Sequence, residues 1–275
     1  MNDKELRKIE KKNQKLNEKN RKIEEKRITE IEDDIKREED EIRKAPIREK
    51  NRILNEPPKR SVLEEVGNSI THGVGALFAI AALILLIIKS DTPFELASGI
   101  IYGICMLFTM SMSSLYHALP YGSRVKRLWR RFDYTSIYLL IGGTFAPLLL
   151  VEWNRIYAYD NFFSNYMGII IFIIQWVAII TGITLVSVFG PGRIKWLNFP
   201  LYFSIGWSGV LFIPGWLWLE NSNLPLFFMI LGGGLAYTLG MIPFAMKSKA
   251  SHFIWHFFVL IGAIVQFLGI YLFVY

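Results

Sequence analysis

The chain has 275 residues, 52% of them hydrophobic, and carries a formal net charge of +7. Residues 1–60 hold 20 of the 31 Lys/Arg and 16 of the 24 Asp/Glu, leaving 11 basic and 8 acidic residues for the other 215. The first part cannot build a core and the second cannot dissolve in water. That excludes a soluble enzyme and specifies a membrane domain over 61–275 with a charged extension over 1–60.

Met1 to about Lys44 contains no Gly or Pro and reads as one charged helix, ended by a linker with Pro46, Pro57 and Pro58. Ile9, Leu16 and Ile23 recur seven apart, and Ile28, Ile31, Ile35 and Ile42 fit an a/d pattern in a shifted phase. Such a seam is thin. It leaves open both a weak coiled coil, self-associating through residues 1–44, and a solitary helix laced by charge pairs. The net +4 of residues 1–60 also suits anionic lipid headgroups. The amino terminus lacks the apolar stretch of a signal peptide, so none is expected. The one cysteine, Cys105, lies in an apolar run, where packing is its expected role.

Seven apolar runs follow, at about Ile70–Ile88, Leu96–Leu119, Tyr134–Val151, Met167–Phe189, Leu197–Leu219, Leu224–Met246 and Phe253–Tyr275. Each has the 18 to 24 residues needed to cross about 30 Å of hydrocarbon as a helix. The expected fold is therefore all-α, a seven-transmembrane helix bundle in the plasma membrane. Basic residues crowd alternate loops: the extension, then Arg124, Lys126, Arg127, Arg130 and Arg131, then Arg193 and Lys195, then Lys247 and Lys249. The other loops hold only Lys89, only Arg155, and none. The positive-inside rule puts the amino terminus in the cytoplasm and the carboxyl terminus outside. The basic loop 124–131 then needs no nucleic acid to explain it. Trp153, Trp196, Trp216 and Trp218 near span ends suggest an interfacial belt. Gly232-Gly233-Gly234 in the sixth span suggests close helix packing.

This topology sends the rare polar groups to one depth. His72 begins the first span, Ser113 and His117 end the second, Asp133 begins the third, and His252 and His256 begin the seventh. His252 and His256 are one helical turn apart on one face, separated by about 6 Å of rise. Ionisable groups inside a membrane are costly unless they face a polar interior, so this layer of the inner leaflet is a candidate site. Several histidines and one carboxylate in an apolar pocket suit zinc, where three imidazoles plus a water leave an open position. Iron or manganese with a carboxylate ligand stays open. Asp133 could accept a proton or hold an imidazole, and Ser113 could orient a water or a carbonyl. Bland roles compete: His72 as an interfacial hydrogen-bonding residue, Asp133 paired with Arg130 or Arg131, and Glu65 and Asn68 capping the first span.

At these residues the chain resembles the hemolysin III proteins and the progestin and adipoQ receptors. The resemblance rests on Ser113-Ser-Leu-Tyr-His117, Arg131-Phe-Asp133-Tyr, Ser251-His252-Phe-Ile-Trp-His256, Glu65-Val-Gly-Asn68-Ser-Ile-Thr71-His72 and Gly143-Thr-Phe-Ala-Pro147. It covers about 61–275, and the short loops look closer to hemolysin III than to the receptors. It implies Zn2+ held by His117, His252 and His256, with Asp133 and Ser113 beside the bound water. His72, Glu65 and Asn68 are candidates for a supporting shell. The wider superfamily includes alkaline ceramidases, which hydrolyse a lipid amide. Three functions follow as expectations: a zinc hydrolase of a lipid amide or ester, a membrane-state sensor with structural zinc, and the cytolysin of the family name. Membrane lipids are the expected partners.

Overall fold

The computed structural model describes residues 3–157, 161–220, 222–246 and 250–275. Side chains throughout 3–17, and at several positions up to Ala45, lie outside that description, as do Lys247 and Lys249 of the last basic loop. The chain divides into two compact units, Met1–Leu54 and Asn55–Tyr275. Among the described residues the only regular structure is helical.

The first unit is one helix, Asp3–Leu54. Exposed ion pairs one turn apart line it, among them Lys22–Glu18, Arg21–Glu25, Lys26–Glu30, Lys44–Asp40 and Arg52–Glu49. Each contributes a few tenths of a kcal/mol. Contrary to expectation Pro46 lies inside the helix, which runs on to Leu54 and stops before Pro57 and Pro58. A single interior proline removes one N–H bond and crowds one carbonyl, at about 3 kcal/mol. On a solvated helix water can satisfy the carbonyl it frees, and strong helix formers continue on both sides. Ile23 of the expected seam is exposed. The seam's other positions lie outside the described side chains.

The second unit contains seven helices long and apolar enough to cross a membrane: Val62–Lys89, Pro93–Ala118, Arg124–Ile156, Phe162–Phe189, Lys195–Trp218, Leu224–Ala245 and Ser251–Phe273. They are called spans one to seven. Local sequence starts them. Ser61, Ser123, Asn161 and Asn223 each cap a span by accepting from the backbone N–H three residues on. Thr92 and Glu95 form a reciprocal capping box ahead of span two, with Pro93 in the first turn. Span three continues past Pro147 through a π-helical stretch, Leu148–Glu152, and span five contains a 3-10 stretch, Trp207–Phe212. Span seven starts from Ala250 at φ 62°, the one described non-glycine residue with positive φ. Strain of that kind costs on the order of 1 kcal/mol and is held by the packing around it.

Sequential spans pack side by side, and span seven returns against span one. Span three is the most enclosed: 78% of its most apolar 18-residue window is buried, against 17–50% for the others. It touches spans two, four, five and seven. The core runs through Ala79, Ala82, Leu86, Tyr102, Met106, Met110, Leu140, Phe145, Leu148, Trp153, Phe212, Trp216, Ala263 and Phe267. Trp153 and Trp216 are thus core residues, each 2% exposed, whereas Trp196 and Trp218 project outward. The belt expected at four positions survives at two. Trp216 is buried because its indole N–H donates to Glu152 Oε1, which also accepts from Asn223 Nδ2 at 2.9 Å. Of the three consecutive glycines only Gly233 packs closely: a Cβ there would sit 2.3 Å from Gln266 Cγ of span seven. A Cβ on Gly234 would meet nothing.

Two polar clusters close the ends of the bundle. At the end where span one finishes, Arg155 Nη2 donates to Glu95 Oε1 at 2.7 Å and Lys89 Nζ donates to the Tyr271 carbonyl. Tyr275 donates to the Glu95 carbonyl at 2.8 Å, and burial pushes its hydroxyl pKa up to about 12, so it stays a donor at ordinary pH. The other end, where span one begins, contains the histidines.

Candidate metal centre

Asn68, Thr71, His72, Gly75 and Ala79 form the buried face of span one. Glycines let that face come close to its neighbours. A Cβ on Gly67 would lie 2.9 Å from the Phe253 ring, and one on Gly75 would lie 2.8 Å from Met110 Sδ. Spans one and two are further tied by reciprocal bonds: Ser69 Oγ donates to the Ser114 carbonyl at 3.0 Å, and Ser114 Oγ donates to the Ser69 carbonyl at 2.8 Å. This clamp places His72 and His117 on facing helices, with span seven beside both.

All four histidines meet. Ring centroids are 4.8 Å apart for His117 and His256, 4.9 Å for His252 and His256, and 5.1 Å for His117 and His252. Nitrogens of His117, His252 and His256 all lie within 4.8 Å of one another and could hold one metal ion. His117 Nε2 and His252 Nε2 are 3.3 Å apart. Two imidazole nitrogens at 2.0–2.1 Å from a tetrahedral zinc are separated by about 3.3 Å, so this pair already has the required spacing. A hydrogen bond between neutral imidazoles would give the same distance. Such a bond leaves His256 out, and His256 Nδ1 is buried with no hydrogen-bond partner. An unpartnered buried imidazole beside two converging ones fits a metal better. No carboxylate belongs to this ligand group among the described residues, which favours a three-imidazole set over one with a carboxylate.

His72 stands apart from the ligand group. Its ring stacks on His256 with centroids 3.8 Å apart and planes 22° from parallel. An imidazole lone pair lies in its ring plane, and planes so disposed meet only roughly 9 Å away, beyond the reach of one ion. Both His72 nitrogens are buried inside the bundle, next to His256, rather than at its surface.

Glu65 and Asn68 reach into the site. The cap of span one is Ser61, which accepts from Glu64 N at 3.2 Å, so the capping role expected of Glu65 and Asn68 is corrected. Glu65 instead accepts from His117 Nδ1 at 2.5 Å, and Asn68 Nδ2 lies 3.3 Å from the same nitrogen. A carboxylate at 2.5 Å fixes the proton on Nδ1 and turns the Nε2 lone pair toward His252. With that tautomer the Asn68 amide is better turned so that its oxygen, otherwise unpartnered, faces Nδ1–H. Glu65 is itself held by Lys126, whose Nζ lies 3.1 Å from Oε1 and donates to the Leu119 carbonyl at 2.8 Å.

Lys126 is the site residue that sequence reasoning passed over. It was grouped with the basic loop, yet it is fully buried, and Arg130 is nearly so. Arg130 donates to the carbonyls of Asn55 and Glu56 at 2.9 and 3.2 Å, fixing the chain ahead of span one. The signal was present: Lys126 and Arg130 are four apart on one helical face, and Glu65, Asn68 and His72 fall at i, i+3 and i+7.

Asp133 is half-buried at the start of span three and Ser113 is buried near the end of span two. Asp133 forms no ion pair with Arg130 or Arg131 among the described residues. Arg131 turns to the Ser187 carbonyl instead. The carboxylate holding an imidazole is therefore Glu65, and Asp133 does not belong to the ligand group.

Fold and site together define a multi-pass, all-helical membrane protein with a buried three-histidine site at one end of its bundle. Comparison with known proteins agrees. Residues 60–267 match the family described as Haemolysin-III related, and the chain belongs to it. Hemolysin-3 of Bacillus cereus is 33% identical over 210 residues, covering 75% of this chain and 90% of that protein. Hemolysin-3 homolog of Bacillus subtilis (strain 168) is 30% identical over 212 residues, covering 75% and 92%. Adiponectin receptor protein of Drosophila melanogaster is 28% identical over 233 residues, covering 75% of this chain and 50% of that protein.

Proposed function

We propose that this protein is a membrane-embedded hydrolase of an amide or ester bond in a lipid, with zinc held by His117, His252 and His256. The observation that carries the reading is the stacking of His72 on His256. The one imidazole available to close a four-ligand structural shell is turned out of reach, so three ligands remain and one position stays open. Zinc bound there would supply a Lewis acid and lower the pKa of a water to about 7.

The chain's own residues supply the remaining roles. Glu65 fixes the His117 tautomer, and Lys126 holds Glu65 in place. Asp133 takes the proton of the attacking water, and Ser113 orients that water or the substrate carbonyl. The apolar surroundings of the histidines, with the Phe244 ring against His252, exclude bulk water. In this reading the histidine end faces the cytoplasm, following the loop charges, and the lipid is drawn from the inner leaflet.

The test is purified full-length protein assayed for zinc content and for fatty acid released from ceramide and phospholipid. Wild type should hold close to one zinc per chain and release fatty acid. His252→Ala/His256→Ala should lose both, and Asp133→Asn should keep zinc but slow release by about 10²-fold or more. Zinc retained with no release by wild type would overturn the hydrolase reading. It would favour a membrane-state sensor in which the ion ties spans two and seven, the helices that carry the three histidines.

A further inference from the structure

Arg60 stands one residue before the cap of span one, and its side chain is 14% exposed. Its one ion pair among the described residues is long, Nε to Glu64 Oε1 at 3.8 Å. Nη1 is buried with no hydrogen-bond partner. The neighbouring cations are engaged: Lys126 with Glu65 and the Leu119 carbonyl, Arg127 with Glu56, Arg130 with two backbone carbonyls. Arg60 thus offers a buried guanidinium N–H, Nη1, that nothing in the bundle accepts from. Arg60 pairs with Glu64, the neighbour of the Glu65 that holds His117, which places it at the histidine end of the bundle.

A guanidinium fork out of water demands an anion with at least two oxygens, and a lipid-facing site at the membrane boundary offers one source, a phosphate headgroup. A fatty-acid carboxylate would compete for the metal itself. A phosphate is separated by several bonds from the acyl carbonyl of the same glycerolipid and needs a second anchor. We propose that Arg60 binds the phosphate of a glycerophospholipid whose acyl ester lies at His117, His252 and His256. The proposal rests on the hydrolase reading for the reaction and deepens it by naming the substrate class, an anionic acylglycerol phosphate rather than a neutral amide. Water adds across the ester, giving a fatty acid and the free hydroxyl of a lysophospholipid, with no change of oxidation state.

The experiment measures lipid retained by the full chain in native mass spectrometry, in an Asp133→Asn background so that bound ester is not consumed. The probes are phosphatidylglycerol, diacylglycerol, ceramide and sn-glycerol 3-phosphate. Phosphatidylglycerol should be held in preference to the neutral lipids, and Arg60→Gln should weaken it roughly tenfold or more while zinc content is unchanged. Arg60→Lys should fall between. Equal retention by Arg60→Gln overturns the assignment, as does ceramide or diacylglycerol binding as tightly as phosphatidylglycerol. Glycerol phosphate binding as tightly as the lipid points to a free-anion site and overturns it too. Should Arg60→Gln fail to fold, Glu64→Gln decides: releasing Nε must leave retention equal or stronger, and a weaker one refutes the proposal. Binding is read without turnover, so a failed hydrolase reading and a failed Arg60 assignment give different results.

Discussion

Glu65→Gln tests the chain of contacts that orients the metal centre. The carboxylate links His117 Nδ1 at 2.5 Å to Lys126 Nζ at 3.1 Å, and the side chains involved are 15%, 0% and 1% exposed. An amide of the same shape keeps the packing but removes the charge. Two separable losses follow. The His117 tautomer is no longer fixed, which for a residue supporting a ligand imidazole lowers metal affinity by about 10–100-fold. Lys126 is left as an uncompensated buried cation, at a cost of about 3–5 kcal/mol in stability. Lys126→Met alone should be destabilising through the stranded Glu65. The double variant Glu65→Gln/Lys126→Met should recover most of the stability and none of the metal affinity. Chelator competition for zinc and thermal unfolding, both in one detergent, measure the two quantities. Glu65→Gln with wild-type zinc affinity would refute the ligand-orienting role, and a double variant as unstable as Glu65→Gln would refute the buried-pair account.

Deleting residues 1–45 should leave membrane insertion and zinc content intact, because the second unit, Asn55–Tyr275, contains every span and every histidine. Loss of zinc on truncation, measured by elemental analysis, would show that the extension supports the site. Reporter fusions after Tyr275 and within residues 119–123 should report opposite sides of the membrane, external and cytoplasmic, as the loop charges require. The same side for both would reverse that topology.

Seven spans were legible because a helix in lipid must satisfy its own backbone and cover itself with apolar side chains, so the span count follows from local composition. The convergence of His72, His117, His252 and His256 was legible for the same reason: up-and-down topology fixes which span ends share a depth. Depth does not fix azimuth. Whether His72 joins the metal or stacks on His256 depends on helix rotation, set by close approaches such as Gly75 to Met110. Pro46, Trp153 and Trp216 were misread where a local rule met a context it does not contain: an exposed helix that tolerates one lost bond, and a core acceptor, Glu152, that draws an indole inward. Lys126 shows the limit most clearly. In sequence it is one of five cations in a loop. Only the packing of spans one, two and three around it, with Glu65 on one side and the Leu119 carbonyl on the other, makes it part of the site. The sequence by itself determined the number of spans and the level at which the polar groups lie, because both follow from hydrophobic length. Tertiary structure alone decided which of those groups touch, because contact depends on how each helix is turned about its own axis.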